Sequence, residues 1–272
     1  MASPFDPTFD DCAWTDAWLQ VPIIQLTPGV HQTFSVKQWQ VTEANICGQP
    51  YRFSAPIDVR GIVMHEDERL WMSDVPQERL MMFKNAARSR GRILVGGLGV
   101  GLYPQYAMAL ASRLHIVEVS SEVRHVVGPI VEIAAAAYQV DLTFTVDTIE
   151  SVLEDDHSGP YDTIFLDVWD TINPLHLPWI NGLRDQALQI VKPDGQVLLW
   201  GYGLMLRLFE DACRQLLSVT PSEREAYFDE VRTAQPGTLA LLRPVLDHFA
   251  GEVVNLDEAL PWCRDYAIKL TE

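Results

Sequence analysis

Positive charge is scarce in this 272-residue chain: 20 Lys and Arg stand against 37 Asp and Glu, a formal net charge of -17. So acidic a chain repels phosphate backbones and anionic lipid, which argues against nucleic acid and membrane surfaces as partners. Cysteine is scarce too. Cys12, Cys47, Cys213 and Cys263 are scattered, with no C-x-x-C pair, so the sequence suggests neither a zinc site nor a disulfide framework. A reduced, intracellular setting is the default for such a chain. The opening stretch MASPFDPTFDDCAW lacks the basic and apolar regions of a secretory signal, and no apolar run approaches membrane-spanning length. The expectation is a cytoplasmic protein whose partner is a small cationic or neutral molecule, with a homodimer as the candidate assembly.

What the chain has is apolar bulk, 48% of residues, and one glycine-dense stretch, RILVGGLGVGL at Arg92–Leu102. Ile93–Val95 reads as a buried strand because it shows no polar alternation. Gly96, Gly97, Gly99 and Gly101 follow, and Leu102–Ser112 resumes with a helix-like mix. Strand, glycine turn and helix form a nucleotide-binding βα unit, in which a ligand lies against bare backbone near a helix N-terminus. A dinucleotide fingerprint begun at Gly97 would need glycine at position 102, where Leu102 stands; the pattern present is G-x-G-x-G.

Around this turn the chain is predicted to form two regions, residues 1–72 as a small β-rich subdomain and 73–272 as the main domain with C-terminal helices. Val21–Leu26, Thr33–Val41 and Val59–Met64 read as the first strands. A helix is expected from Ser73–Pro76 to about Ser89, with Ser73 or Asp74 as its cap. Strands then alternate with helices: Leu114–Val119, Leu142–Val146, Tyr161–Asp167 and Gln196–Gly201, the last preceded by a KPDG turn. Gly128–Pro129 is expected to kink or delay the helix Glu122–Gln139. Three further helices follow Pro221. The fold class is α/β, a doubly wound, mostly parallel sheet.

In such sheets ligands bind beyond the carboxyl ends of the strands. Glu118 ends the second strand of the main sheet, where an acid can accept both hydroxyls of a ribose. Asp147 ends the third, and Asp167 ends the fourth, with Trp169 and Asp170 close behind. Asp167 or Asp170 can act as general base or orient a nucleophile. Glu78 and Gln77 can close the site from the N-terminal side, and His65, His157, His176, Trp71 and Tyr202 are weaker candidates.

The glycine turn, Glu118, Asp147, Asp167 and KPDG in that order resemble the class I, Rossmann-like S-adenosylmethionine-dependent methyltransferases. The resemblance spans about Arg92–Phe209 and departs at Val95, where many members carry an acid. It implies S-adenosylmethionine at Gly96, Gly97, Gly99, Gly101, Glu118, Asp147 and Asp167, with Asp167 and Asp170 in catalysis on a small molecule. The β-rich N-terminus, the GG-x-G-x-G turn and the pair Asp167 and Asp170 are also similar to the spermidine synthase group, which implies aminopropyl transfer from decarboxylated S-adenosylmethionine. FLDVWD resembles metal-dependent catechol-type O-methyltransferases, but the next strand ends Trp200–Gly201–Tyr202–Gly203 without an acid, so no metal is expected. A non-catalytic ligand-binding or scaffold protein is the alternative from outside enzymology.

Overall fold

A computed structural model describes residues 3–13, 26–155, 159–234 and 238–271. The strand expected at Val21–Leu26 falls almost wholly outside these, as does His157. The chain divides into two compact units, residues 1–170 with 186–201, and residues 171–185 with 202–272. Among the described residues no helix is long and apolar enough to cross a membrane.

The first unit holds both sheets. An antiparallel sheet runs in the order β1 (Gly29–Val30), β2 (Phe34–Ile46), β3 (Gln49–Met64) and β4 (Leu70–Ser73). β2 and β3 are longer than the apolar alternation predicts. Their distal halves are mostly exposed and therefore polar, and they pair as a ribbon from Glu43 with Arg52 to Ile46 with Gln49. Ile46 and Phe53 anchor the ribbon on Leu80 of the first helix, α1 (Pro76–Arg88).

The second sheet is wholly parallel, ordered β7 (Asp141–Thr145), β6 (Ala111–Val117), β5 (Gly91–Gly96), β8 (Tyr161–Leu166), β9 (Val191–Leu199). Ile93, Leu94, Val95, Ile116, Ile164 and Leu166 are fully buried, as strands covered on both faces require. From β5 the chain steps one way to β6 and later the other way to β8. The strand order therefore reverses at β5, where crevices open beyond the strand ends. The expected Rossmann-like α/β fold, with its β-rich N-terminal sheet and C-terminal helices, is the fold observed.

Several local expectations are corrected. Helix α2 covers only Leu102–Ala107; a 3-10 turn, Met108–Leu110, follows, and β6 begins at Ala111. Helix α3 (Ser121–Tyr138) is not delayed to Gly128–Pro129 but starts ahead of it, with Pro129 inside the helix. KPDG is a bulge inside β9, since Tyr161 pairs with Val191 and Thr163 with Gln196. The cap position of α1 is Val75, without a side-chain cap bond. Asp74 is instead buried against Arg79, at 3.0 Å. Cys12 and Cys47 form a disulfide, Cα–Cα 5.6 Å, against the expectation of none. They lie 35 residues apart, so no local sequence pattern marks the pair.

In the second unit, α6 (Tyr202–Ser218), α7 (Arg224–Ala234), α8 (Thr238–His248) and α9 (Leu256–Lys269) gather around buried polar residues. Asn181 and Arg184 donate to the carbonyls of Ala267, Ile268 and Leu270, serving the C-terminal groups that a helix leaves unpaired. Arg224 does the same for Leu217, Val219 and Phe249.

Candidate active site

Four strand ends of the first unit meet at the reversal. The ladder continues one residue past the strands: the Gly97 N–H donates to Val117 O, the Glu118 N–H to Thr145 O, the Asp167 N–H to Gly96 O and the Trp200 N–H to Leu166 O, all at 2.9–3.0 Å. Glu118, Asp167 and Trp200 thereby sit in register along one edge of the sheet.

The glycines divide into two pairs. Gly96 and Gly101 are sealed by packing: a Cβ would lie 2.9 Å from Ile149 at the first and 3.1 Å from Val127 at the second. Gly97 and Gly99 keep partial exposure and positive φ, 93° and 56°. At Gly97 a Cβ would stand 2.2 Å from Asp167 O, so only glycine fits there. At Gly99 the nearest atom would be Met72 Sδ at 3.9 Å, so bare backbone borders open space. Helix α2 is too short for a strong dipole, and Pro104 removes one of its first N–H groups. What the turn offers is access to backbone rather than a charged helix end.

Glu118 is buried. Its Oε2 accepts from the Leu98 N–H at 3.0 Å and its Oε1 from the Ser120 N–H at 2.8 Å. Burial raises its pKa, opposed by these N–H groups. A carboxylate offers about four lone pairs, so this one can brace the turn and still accept from a ligand. Val119 and Val146, each next to an acid at a strand end, are 63% and 51% exposed. Neither valine stood out in the sequence, where the only signal was a valine flanking each strand-end acid. Asp147 is exposed and accepts from the Thr148 N–H at 2.7 Å, while Thr148 Oγ1 accepts from the Ser151 N–H and so caps α4 (Ile149–Asp155).

Asp167 lies deep in the protein yet retains some solvent access. Burial, then the negative charges of Asp11 and Glu118, push its pKa from 3.8 up to about 8. Glu78, in the first turn of α1, is driven well above the usual carboxylate range by burial, then by Asp167 and Asp11. Asp11, which sequence reasoning missed, is buried and accepts from Asn85 Nδ2 at 2.9 Å and the Gly201 N–H at 2.8 Å. Trp169 and Trp200 are buried with ring centroids 6.5 Å apart, which walls this end of the sheet from water.

The remaining candidates of the first unit have other partners. Asp170 has 43% of its side chain exposed and pairs with Arg69 at 2.9 Å. Gln77 accepts from the Cys47 N–H, and His65 bonds Ser35 on the antiparallel sheet. Tyr202 belongs to the second unit and donates to Asn181 at 2.6 Å; His176 lies there too, near Thr171. Among the described residues no group of three or more His, Cys, Asp and Glu is arranged to hold a metal ion.

No protein-family model and no curated protein matches the chain. Solved structures do, at low identity. The C-terminal domain of precorrin-6Y C5,15-methyltransferase from Rhodobacter capsulatus is 14% identical over 46% of this chain and 61% of that one, with a TM-score of 0.35. The N-methyltransferase NodS from Bradyrhizobium japonicum is 13% identical over 48% of this chain and 76% of that one, TM-score 0.34. Precorrin 8w decarboxylase from Methanobacterium thermoautotrophicum is 12% identical over 45% of this chain and 61% of that one, TM-score 0.32. The chain thus spans about three fifths of the length of the two precorrin enzymes it matches.

Proposed function

We propose that the chain is an S-adenosylmethionine-dependent methyltransferase acting on a small molecule. The observation that carries this reading is the meeting of open glycine backbone with the strand-end carboxyls Glu118 and Asp167, the latter pushed up to about 8 by burial and acidic neighbours, at the point where the strand order reverses. The residues fit the group. Glu118 has lone pairs left for ribose hydroxyls, Val119 and Val146 offer apolar flanks to a base with Asp147 beside them, and Gly97 and Gly99 admit a ligand against the main chain. When bound, S-adenosylmethionine supplies an electrophilic methyl group on a sulfonium. The protein's own part is to align the reactants and exclude water. Asp167 accepts the proton of an acceptor N–H or O–H, with a pKa near working pH as a general base requires. Asp170, exposed and paired with Arg69, holds the rim.

One observation favours a second reading. Asp11, Glu78 and Asp167 bring acids rather than a cation to this place, a poor counterpart for a ligand carboxylate, and decarboxylated S-adenosylmethionine, the donor for aminopropyl transfer, has none. Calorimetry with S-adenosylmethionine, its decarboxylated form and NAD separates the readings. The first is expected to bind tightest. Tightest binding of the second, with turnover of a diamine, moves the assignment to aminopropyl transfer. Preference for NAD defeats both, and binding without turnover across amines, phenols and acids leaves a scaffold. A cytoplasmic setting belongs to the same proposal, and in that reducing compartment the Cys12–Cys47 bond is a redox-responsive one rather than a permanent staple.

A further inference from the structure

We propose that Asp11 is a positioning residue of this site and that the Cys12–Cys47 bond is the clamp that seats it there. Asp11 joins two elements: Asn85 on α1 and Gly201 at the end of β9 share its Oδ2. It is 1% exposed, and its charge bears on both Glu78 and Asp167. Every charge named on Asp167 from the packed elements is negative: Asp11 from the N-terminal segment and Glu118 from the end of β6, while Asp167 in turn bears on Glu78 of α1. Like charges in a poorly solvated place repel, so this carboxylate would gain by withdrawing into water.

The segment is anchored at a distance from that strain. Phe5 bridges to Val197, and Phe9 lies under the Arg88 guanidinium at 4.0 Å. Lys84 donates to Ala13 O from an exposed position. The covalent tie comes one residue from Asp11, at Cys12, which is buried. Its partner Cys47 occupies the β2–β3 turn at φ 52° and donates its N–H to Gln77, the neighbour of Glu78. One bond therefore ties Asp11 to the helix turn that carries the next acid. A dithiol reductant opens it by delivering two electrons and two protons, giving two thiols and a cyclic disulfide of the reductant.

This rests on the strand-end site being the functional one, but its test does not need the ligand. The carboxyl carbons of the full chain are titrated by NMR, with Asp167→Asn assigning the Asp167 signal. Opening the clamp with dithiothreitol is expected to lower the Asp167 midpoint by about half a pH unit or more, because a neighbouring negative charge departs. Asp11→Asn, which keeps the disulfide, is expected to lower it as far, and reducing that variant to add nothing. Coincident titrations of oxidised and reduced wild type overturn the clamp, and an unmoved midpoint in Asp11→Asn overturns the role of Asp11. Calorimetry with S-adenosylmethionine runs in parallel: shifts as expected without binding remove the proposed function and leave this inference standing.

Discussion

Two acids four residues apart at the start of α1, Asp74 and Glu78, are treated in opposite ways. Asp74 faces Arg79 at 3.0 Å, and Arg79 also donates to Asp58 O at 2.6 Å. Burial still raises the Asp74 pKa, but the guanidinium and the Arg60 N–H oppose it. Glu78, one turn on, faces Asp167 and Asp11. The fold can supply a cation to a buried acid and does so where the acid only ties a strand to a helix. Where it leaves acids facing one another, stability is given up, and perturbed carboxyls of that kind concentrate at functional sites.

The comparison breaks most visibly at Arg79. Arg79→Met strands the Asp74 charge and is expected to cost about 3–5 kcal/mol in urea denaturation. The double variant with Asp74→Asn should recover most of that loss. A single-variant loss below about 1 kcal/mol would make the pair no different from the uncompensated acids.

Acidity sharpens the contrast next. Unfolded, Asp167 releases its proton near 3.8; folded, it keeps it until about 8. Between those values the native state binds more protons, so stability falls as pH rises, by up to about 1.4 kcal/mol per pH unit for one group. It is fully present below the lower value and lost through the upper. Denaturation midpoints from pH 4 to 9 should show that decline, shallower in Asp167→Asn; equal slopes would mean that the acid cluster is not protonated as its surroundings imply. Glu78→Gln removes one member without removing an acceptor. At pH 8 it is expected to gain about 0.5–2 kcal/mol of stability while weakening turnover. A loss of stability there would class Glu78 with Asp74.

How much of this was legible beforehand follows the range of the interactions. Ile93–Val95 and Ile164–Leu166, the latter within Tyr161–Asp167, announced themselves because a strand buried on both faces is apolar without a break. The glycine turn did so because only glycine meets the Asp167 carbonyl at Gly97. The distal halves of β2 and β3 stayed hidden because their exposure removes the alternation. Asp74 looked like a helix cap; its real partner, Arg79, is a local residue whose burial no periodicity reveals. Asp11 was out of reach altogether: its bond to Gly201 spans 190 positions, and nothing in DDC distinguishes a buried strut from an acidic lead-in. The site was thus readable at the strand ends and unreadable wherever a distant segment completes it.

Asp170 is the smallest lever and the cleanest control on the whole contrast. It stands three residues from Asp167, and on sequence the two were equal candidates for the base. Their surroundings are not equal. Asp170 is 43% exposed and its pairing with Arg69 joins two solvated side chains, an arrangement worth about 0.2–1 kcal/mol. Asp170→Asn should therefore cost less than about 1 kcal/mol in denaturation and less still in high salt, which screens exposed pairs. In a pH–rate profile of kcat/KM, the limb near 8 should persist in Asp170→Asn and vanish in Asp167→Asn, since burial and acidic neighbours hold the Asp167 proton that high. If the limb instead disappears with Asp170, the proton passes through the exposed acid, and burial among like charges at Asp167 serves something other than proton transfer.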